Sequence, residues 1–235
     1  MRIHRYGITL RRLEEGDLET VRQARNAMTK YMEYQEYITP GMQEEWFESV
    51  NNLNNFYYII EKKNEKIGLI NIKGIERQKG NESITMAKSD ETGIFMFDEK
   101  YFDTLYPIIA SIILIEVGFY IFPAQITYAR VMKTNQKAID YNLNLGYKLC
   151  EGQENVMNQK YYLTKENFDK KAGKLRKIIK RLTKSDDILT LVIEDTDYKN
   201  EVGQYLEDVN NKLGLSYYFD SNGYKVYKID LKDKK

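Results

Sequence analysis

The run Ala129–Tyr147 (ARVMKTNQKAIDYNLNLGY) carries the residues best placed to do chemistry. Ala129 to Val131 read as a strand end, Asn135 as the cap of a short helix, and Leu145-Gly146-Tyr147 as its exit into another strand. Within that helix the amide of Asn142 can donate a hydrogen bond but cannot supply a proton, whereas the phenol of Tyr141 can. The two are adjacent in sequence, so they face about 100° apart around the helix axis. A carboxylate, Glu91, opens another strand, Glu91–Phe97, and is a candidate base; a solvated strand-end carboxylate is the alternative. His4, the single histidine, precedes the first expected strand, which argues against a histidine mechanism, and no Cys/His cluster suggests zinc.

The elements that must position these groups follow from periodicity and punctuation. Ile8–Leu13 alternates as an opening strand, and Asp17 is expected to cap a helix reaching about Met28, with Leu18, Val21 and Ala24 on one face. Pro40-Gly41 breaks the chain before a helix from about Met42 to Val50 that carries Trp46 and Phe47. Strands at Phe56–Glu61 and Lys66–Ile75 flank the polar turn 62–65, and a polar loop, Arg77–Asp90, leads to Glu91–Phe97. Leu105–Phe122 is almost continuously apolar, but Pro107, Glu116 and Gly118 interrupt it and it lacks basic flanks, so it reads as a central buried helix, not a membrane span. A strand at Gln125–Val131, the Asn135 helix, and strands at Tyr147–Cys150 and Lys160–Leu163 complete this part.

Composition bounds the rest. With 42% apolar and 30% charged residues, the 235-residue chain can bury a substantial core. A net charge of +1 predicts no general attraction to nucleic acid or to an anionic membrane. One cysteine, Cys150, excludes an internal disulfide framework and fits a cytoplasmic setting, and the N-terminus lacks the apolar stretch of a signal peptide.

The Asn135-x-x-Ala138…Gly146-Tyr147 run resembles the second half of the GNAT acyltransferase fold. Arg25-Asn26, Gln43-x-x-Trp46 and the strand Ile67-Gly68-Leu-Ile-Asn71 resemble its RimJ/RimL-type branch, nearest to members that acetylate amino groups on nucleotide sugars. The resemblance implies an α/β (α+β) GNAT fold with a mixed central sheet over residues 1–168, and an N-acetyltransferase moving acetyl from acetyl-CoA to a small amine. It implies that main-chain groups of Ile94, Phe95 and Met96 pair with the pantetheine arm and that Asn135, besides capping, touches the cofactor. It places Asn142 where many members have a proton-donating tyrosine, and it puts Arg25, Asn26, Gln43 and Trp46 over the acceptor. Trp46 reads equally well as core.

The phosphate-binding segment departs from the family pattern. Where glycines normally let backbone amides approach a diphosphate at a helix N-terminus, this chain has Phe102-Asp103-Thr104-Leu105-Tyr106-Pro107. It holds no glycine, Pro107 has no N–H, and Asp103 or Thr104 is expected to cap the helix in the anion's place. That favours an alternative, a non-catalytic GNAT-like binding module that has lost its phosphate cradle; a third reading replaces CoA by an acyl carrier protein.

Residues 169–235 are expected to form a small C-terminal α/β extension leaning on the first domain. Lys170–Lys184 holds eight basic residues with Leu175, Ile178, Ile179 and Leu182 at helical spacing. A strand at Ile188–Glu194, a helix near Tyr198–Leu213, a hairpin across Ser221-Asn222-Gly223 and a frayed tail, Lys232–Lys235, follow. The order strand, helix, Leu-Gly, strand recurs between 126–163 and 188–227, by duplication or by coincidence. A homodimer is left open.

Overall fold

The computed structural model describes residues 1–31, 34–74, 91–122, 124–199 and 202–231; the expected loop Arg77–Asp90 and the tail Lys232–Lys235 lie outside them. The chain opens with a hairpin, β1 (Arg2–Arg5) and β2 (Ile8–Arg12), turning on Tyr6 and Gly7 at φ of 53° and 76°. Glycine adopts such a conformation without a Cβ penalty. His4 therefore belongs to a strand, and its Nδ1 lies 2.8 Å from the Thr9 hydroxyl. Helices α1 (Leu18–Ala27) and α2 (Pro40–Val50) follow, then strands β3 (Asn55–Lys62), β4 (Glu65–Lys73) and β5 (Glu91–Met96). Pro40 begins α2 where a missing N–H costs nothing, and Thr39 caps it through the amide of Met42. Next come α3 (Tyr106–Glu116), which runs on through a wider π-type turn at Val117–Ile121, then β6 (Ile126–Met132), α4 (Gln136–Leu145), β7 (Lys148–Leu149) and β8 (Asn158–Thr164). The chain closes with α5 (Lys165–Thr183), β9 (Ile188–Ile193), α6 (Asp195–Tyr198), α7 (Val202–Lys212), β10 (Tyr217–Phe219) and β11 (Lys225–Asp230).

All eleven strands join one mixed sheet in the order β10-β11-β9-β1-β2-β3-β4-β5-β6-β8-β7, parallel only between β5 and β6. Alternation sorts side chains onto two faces. Leu13, Ile59 and Leu69 pack under Val21 of α1 and Phe47 of α2. On the other face Ile3, Leu10, Ile60, Ile70 and Leu191 meet α3, α5 and α7. Nine of the eleven α3 residues are buried, which explains its unbroken apolar run. No helix among the described residues is long and apolar enough to cross a membrane.

Asp17 stands at the α1 N-cap position, but it makes no side-chain cap bond. Its carboxylate is instead engaged by Arg11 at 2.7 Å and Lys66 at 2.7 Å, clamping α1 to β2 and β4. A paired guanidinium offers a carboxylate more than helix amides do.

The C-terminal extension continues the sheet. The residue 168/169 boundary falls inside α5, and β9 pairs with β1 in the register Ile3↔Leu191. Beneath it lies a buried ion cluster: Glu116 at the end of α3 sits between Arg5 of β1 and Arg176 of α5, the latter at 2.7 Å. The buried row of α5 is Phe168, Ala172, Arg176 and Ile179, not the stripe read from sequence, because Ile178 and Leu182 are 52% and 60% exposed. The buried charge of Glu116 draws Arg176 inward and rotates the helix by part of a turn from the purely apolar reading.

Candidate active site

Strands β5 and β6 pair at only two positions, Glu91↔Tyr128 and Thr92↔Ala129, and then separate. The Thr92 hydroxyl pins that junction from the α3 face, donating to the Tyr128 carbonyl at 3.1 Å and lying 2.6 Å from the Tyr147 hydroxyl. Beyond it opens a cavity of about 760 Å³, lined among others by Ile94, Ser111, Val131, Asn135, Tyr141 and Asn142. Phe97 donates its N–H to the Ile67 carbonyl, which fixes the phase of β5 against β4. By alternation the main chain of Phe95 also faces β4, whereas Ile94 and Met96 present their N–H and C=O groups toward the opening. Two of the three expected main-chain contacts therefore lie on the open edge, and Phe95 lies on the paired one.

Helix α4 supplies the far wall. Asn135 caps it, its Oδ1 accepting from the Ala138 N–H at 3.1 Å, and Gly146 ends it at φ 103° with no room for a Cβ, the Asn167 carbonyl lying 2.7 Å from that position. Asn142 reaches the cavity wall but donates to the Ala138 carbonyl at 2.9 Å. Tyr141, expected on another face, also lines the cavity; its hydroxyl lies 2.6 Å from Ser111 Oγ and 2.9 Å from the Pro107 carbonyl. Burial pushes this phenol above its ordinary pKa, against a smaller opposing effect of Ser111.

The N-terminus of α3 corrects one expectation. Asp103 does not cap it: the side chain is out in solvent with Lys137 at 3.2 Å. The Tyr106 amide makes a long bond, 3.4 Å, to the Thr104 hydroxyl, and Pro107 offers no N–H at the next position. The open edge of β5 offers unpaired main-chain groups at Ile94 and Met96, whereas the turn before α3 supplies no glycine-lined amides.

The opposite face of the sheet carries the remaining candidates. Glu91 has both oxygens engaged, one by Lys73 at 3.2 Å and one by Arg130 at 3.1 Å. Tyr57, Asn71 and Gly93 stand in one cross-strand row, and a Cβ on Gly93 would lie 2.9 Å from Asn71 Oδ1. Arg25, one helical turn beyond Val21, acts electrostatically on Tyr57 of this row. Trp46 packs edge-on to Tyr57 with ring centroids 5.1 Å apart. Asn26 makes paired bonds with the main chain of Ile38, both at 2.9 Å, and so fixes the segment between α1 and α2. Gln43 is buried beside a separate groove between α1 and α2, away from the β5–β6 opening. None of Arg25, Asn26, Gln43 and Trp46 lines the 760 Å³ cavity. Sequence reading passed over Tyr57, Lys73, Ser111 and Arg130 and named Asn71 only as part of a strand motif; alternation gives each strand residue a face, but only strand order makes them neighbours.

Comparison with known proteins agrees with this geometry. The sequence model of the acetyltransferase (GNAT) domain matches residues 8–148. Similar solved structures include an apo nucleotide-linked sugar GNAT, FdhC (TM-score 0.60, 20% identity, 76% of this chain and 98% of that one). Spermidine N-acetyltransferase from Vibrio cholerae in complex with CoA and spermine aligns with TM-score 0.57 at 20% identity over 70% of this chain and 99% of its own. N-acetyltransferase PseH from Campylobacter jejuni aligns with TM-score 0.50 at 16% identity over 68% and 99%. A search of curated proteins found no match. The aligned structures are covered almost whole while about a quarter or more of this chain extends past them, so the similarity is one of fold. With the domain model spanning more than half of the residues and the β5–β6 opening in place, the chain belongs to the GNAT acetyltransferase domain family.

Proposed function

We propose that the protein is an acetyl-CoA-dependent N-acetyltransferase acting on a small amine, with an amino sugar carried on a nucleotide as its acceptor class. The observation that carries this reading is the opening between β5 and β6, where the main chain of Ile94 and Met96 is unpaired beside a 760 Å³ cavity. Bound there, acetyl-CoA supplies an activated acetyl thioester. Ile94 and Met96 hold the pantetheine arm as an added strand would be held. Glu91, on the acceptor face, takes up the proton of the incoming ammonium, relayed by water because its oxygens already serve Lys73 and Arg130. Asn142 retains a second amide hydrogen to offer the departing sulfur. Asn135, already engaged as a cap, braces α4 against the cofactor.

The turn 102–107 favours the second reading, a binding module without turnover, because Pro107 and the Thr104–Tyr106 contact leave few amides for a diphosphate. Calorimetry with CoA and with pantetheine, beside an assay of labelled acetyl transfer to an amine panel, separates the two. We expect turnover, with CoA binding no more than about tenfold tighter than pantetheine, a difference of roughly 1.4 kcal/mol. A much larger advantage for intact CoA would show that a phosphate site exists elsewhere; binding without transfer on any amine would favour the module.

A further inference from the structure

We infer that the acceptor carries an oxyanion some distance from its amine, and that Arg25, Tyr57 and Asn71 bind it; this rests on the transferase reading above and names its substrate class. Arginines drawn inward elsewhere in the molecule have acidic partners. Arg11 pairs with Asp17 and Glu61, and Arg5 and Arg176 with Glu116. Arg12, the other buried one, bonds Asn51 and lies over the Phe56 ring. Arg25 has neither. Its Nε is fully enclosed without a hydrogen-bond partner, and no carboxylate pairs with its guanidinium among the described residues. Burial draws its pKa down, against a smaller opposing effect of Tyr57. An enclosed donor of this kind is costly unless something accepts its hydrogen bond.

The surroundings make it a site. The Tyr57 hydroxyl and the Asn71 amide make no hydrogen bond to the described residues, and both lie on the face that Arg25 overlooks. Tyr57 feels both ends of the patch: burial raises its pKa most, Arg25 draws it down and Glu91 pushes it up. The three groups thus present a planar guanidinium, a phenol and a carboxamide, each able to donate a hydrogen bond, with the Asn71 Oδ1 turned toward Gly93 beside the β5–β6 junction. Lys73 and Arg130 outnumber Glu91 at its rim, so that end carries one excess positive charge. A guanidinium's fork of N–H groups matches phosphate or carboxylate oxygens. Excess cations on both sides disfavour a polyamine, the class bound by one of the similar structures.

The spacing narrows the class. Tyr57 on β3 and Gly93 on β5 are two strands apart, roughly 10 Å at one inter-strand spacing each. An amine delivered at the junction then has its oxyanion about a sugar ring away, which an α-amino acid's own carboxylate cannot reach. A nucleotide-linked amino sugar offers a phosphate at that reach; the ε-amine of Nα-blocked lysine offers a carboxylate.

The test uses the full chain and its Arg25→Gln and Arg25→Lys variants, with melting curves to confirm folding. Acceptors are a uridine-diphosphate-linked amino sugar, Nα-acetyl-lysine, the free amino sugar and spermidine; uridine diphosphate alone is titrated calorimetrically without acetyl-CoA. Expected are an anionic acceptor preferred over spermidine, a KM for it raised at least tenfold in Arg25→Gln with a smaller effect on kcat, and partial rescue by Arg25→Lys. Preference between the two anionic acceptors assigns phosphate or carboxylate. If uridine diphosphate or Nα-acetyl-lysine binds in an Arg25-dependent manner but no acetyl is transferred, the oxyanion site stands and the transferase reading fails. If acetyl is transferred and spermidine is the best acceptor, or Arg25→Gln leaves KM unchanged, the oxyanion site is overturned and the transferase reading survives.

Discussion

At the scale of single residues, the α4 wall depends on what each side chain is already bonded to. Asn142 occupies the position that the family resemblance links to thiolate departure, yet one of its amide hydrogens is tied to the Ala138 carbonyl. We expect Asn142→Ala to lower kcat by roughly tenfold, the low end for loss of one stabilising donor in a preorganised site. It should scarcely move the melting temperature, since the Ala138 carbonyl keeps its place in the helix. Asn142→Tyr restores a proton donor and is expected to raise kcat above that of Asn142→Ala. Steady-state kinetics on an active acceptor checks both; equal rates in all three proteins would remove Asn142 from the site. Tyr141 is a different case: with its hydroxyl between Ser111 and Pro107 it joins α4 to α3, a link that the one-residue offset from Asn142 gave no reason to expect.

At the scale of elements, α1 is placed by charge as much as by its apolar stripe. Asp17 accepts from Arg11 and Lys66, and although burial by itself raises its pKa, these partners and the Glu14 N–H hold it below the ordinary carboxylate value. The folded-state pKa is depressed, so this stabilisation is complete above the unfolded-state value near 4 and is lost as pH falls through the lower folded value. Asp17→Asn should cost about 3 kcal/mol at neutral pH, because it leaves Arg11 and Lys66 short of a counter-charge in a buried setting. Denaturant melts from pH 7 down to pH 2 should show the gap between wild type and Asp17→Asn closing below about pH 4. A gap that persists unchanged at pH 2 would mean that the clamp works by shape and not by charge. The two halves of the chain echo one another at this scale: β6-α4-β7-β8 and β9-α6-α7-β10-β11 each return their last strand beside their first, with the penultimate strand outermost. The first unit opens a cleft because β6 leaves β5 after two pairs; in the second, β9 pairs with β1 at three positions, Thr190 to Val192, and with β11 along its whole length.

At the scale of the whole molecule, the extension and the family domain share one sheet and one core. Leu189, Leu191, Ile193, Val202 and Leu206 are buried in the same cluster as Ile3, Leu10 and Ile109. Removing residues 169–235 would strip β1 of β9, expose that cluster and leave Glu116 without Arg176, and losing one partner of a buried ion cluster alone costs about 3–5 kcal/mol. That is a large part of a typical domain's stability, so a chain cut after Phe168 is expected to aggregate or to melt far below the full protein. Scanning calorimetry of the full chain should show a single transition. Two well-separated transitions, or a soluble and equally stable truncated chain, would make the extension an independent unit.

How much was legible beforehand follows from the range of the interactions involved. Local signals fixed most elements: alternation marked β2 through β5, the Asn135 and Gly146 punctuation bounded α4, and the apolar run marked α3 as buried. The family fold was readable for the same reason, since Asn135 and Gly146 do their work within a few residues of themselves. Whatever depended on partners far along the chain was not legible. β1, already in a local hairpin with β2, took β9 as its second neighbour nearly two hundred residues away; α5 turned its Arg176 inward because Glu116 waits there; and Asp17 gave up its cap for Lys66 as well as the nearby Arg11. The face of the sheet under α1 shows the same limit. Arg25, Tyr57, Asn71 and Gly93 each sit on a predictable face of a predictable element, but periodicity says nothing about which strands lie side by side. Sheet order, a global compromise of burial and charge pairing, decided that they form one surface.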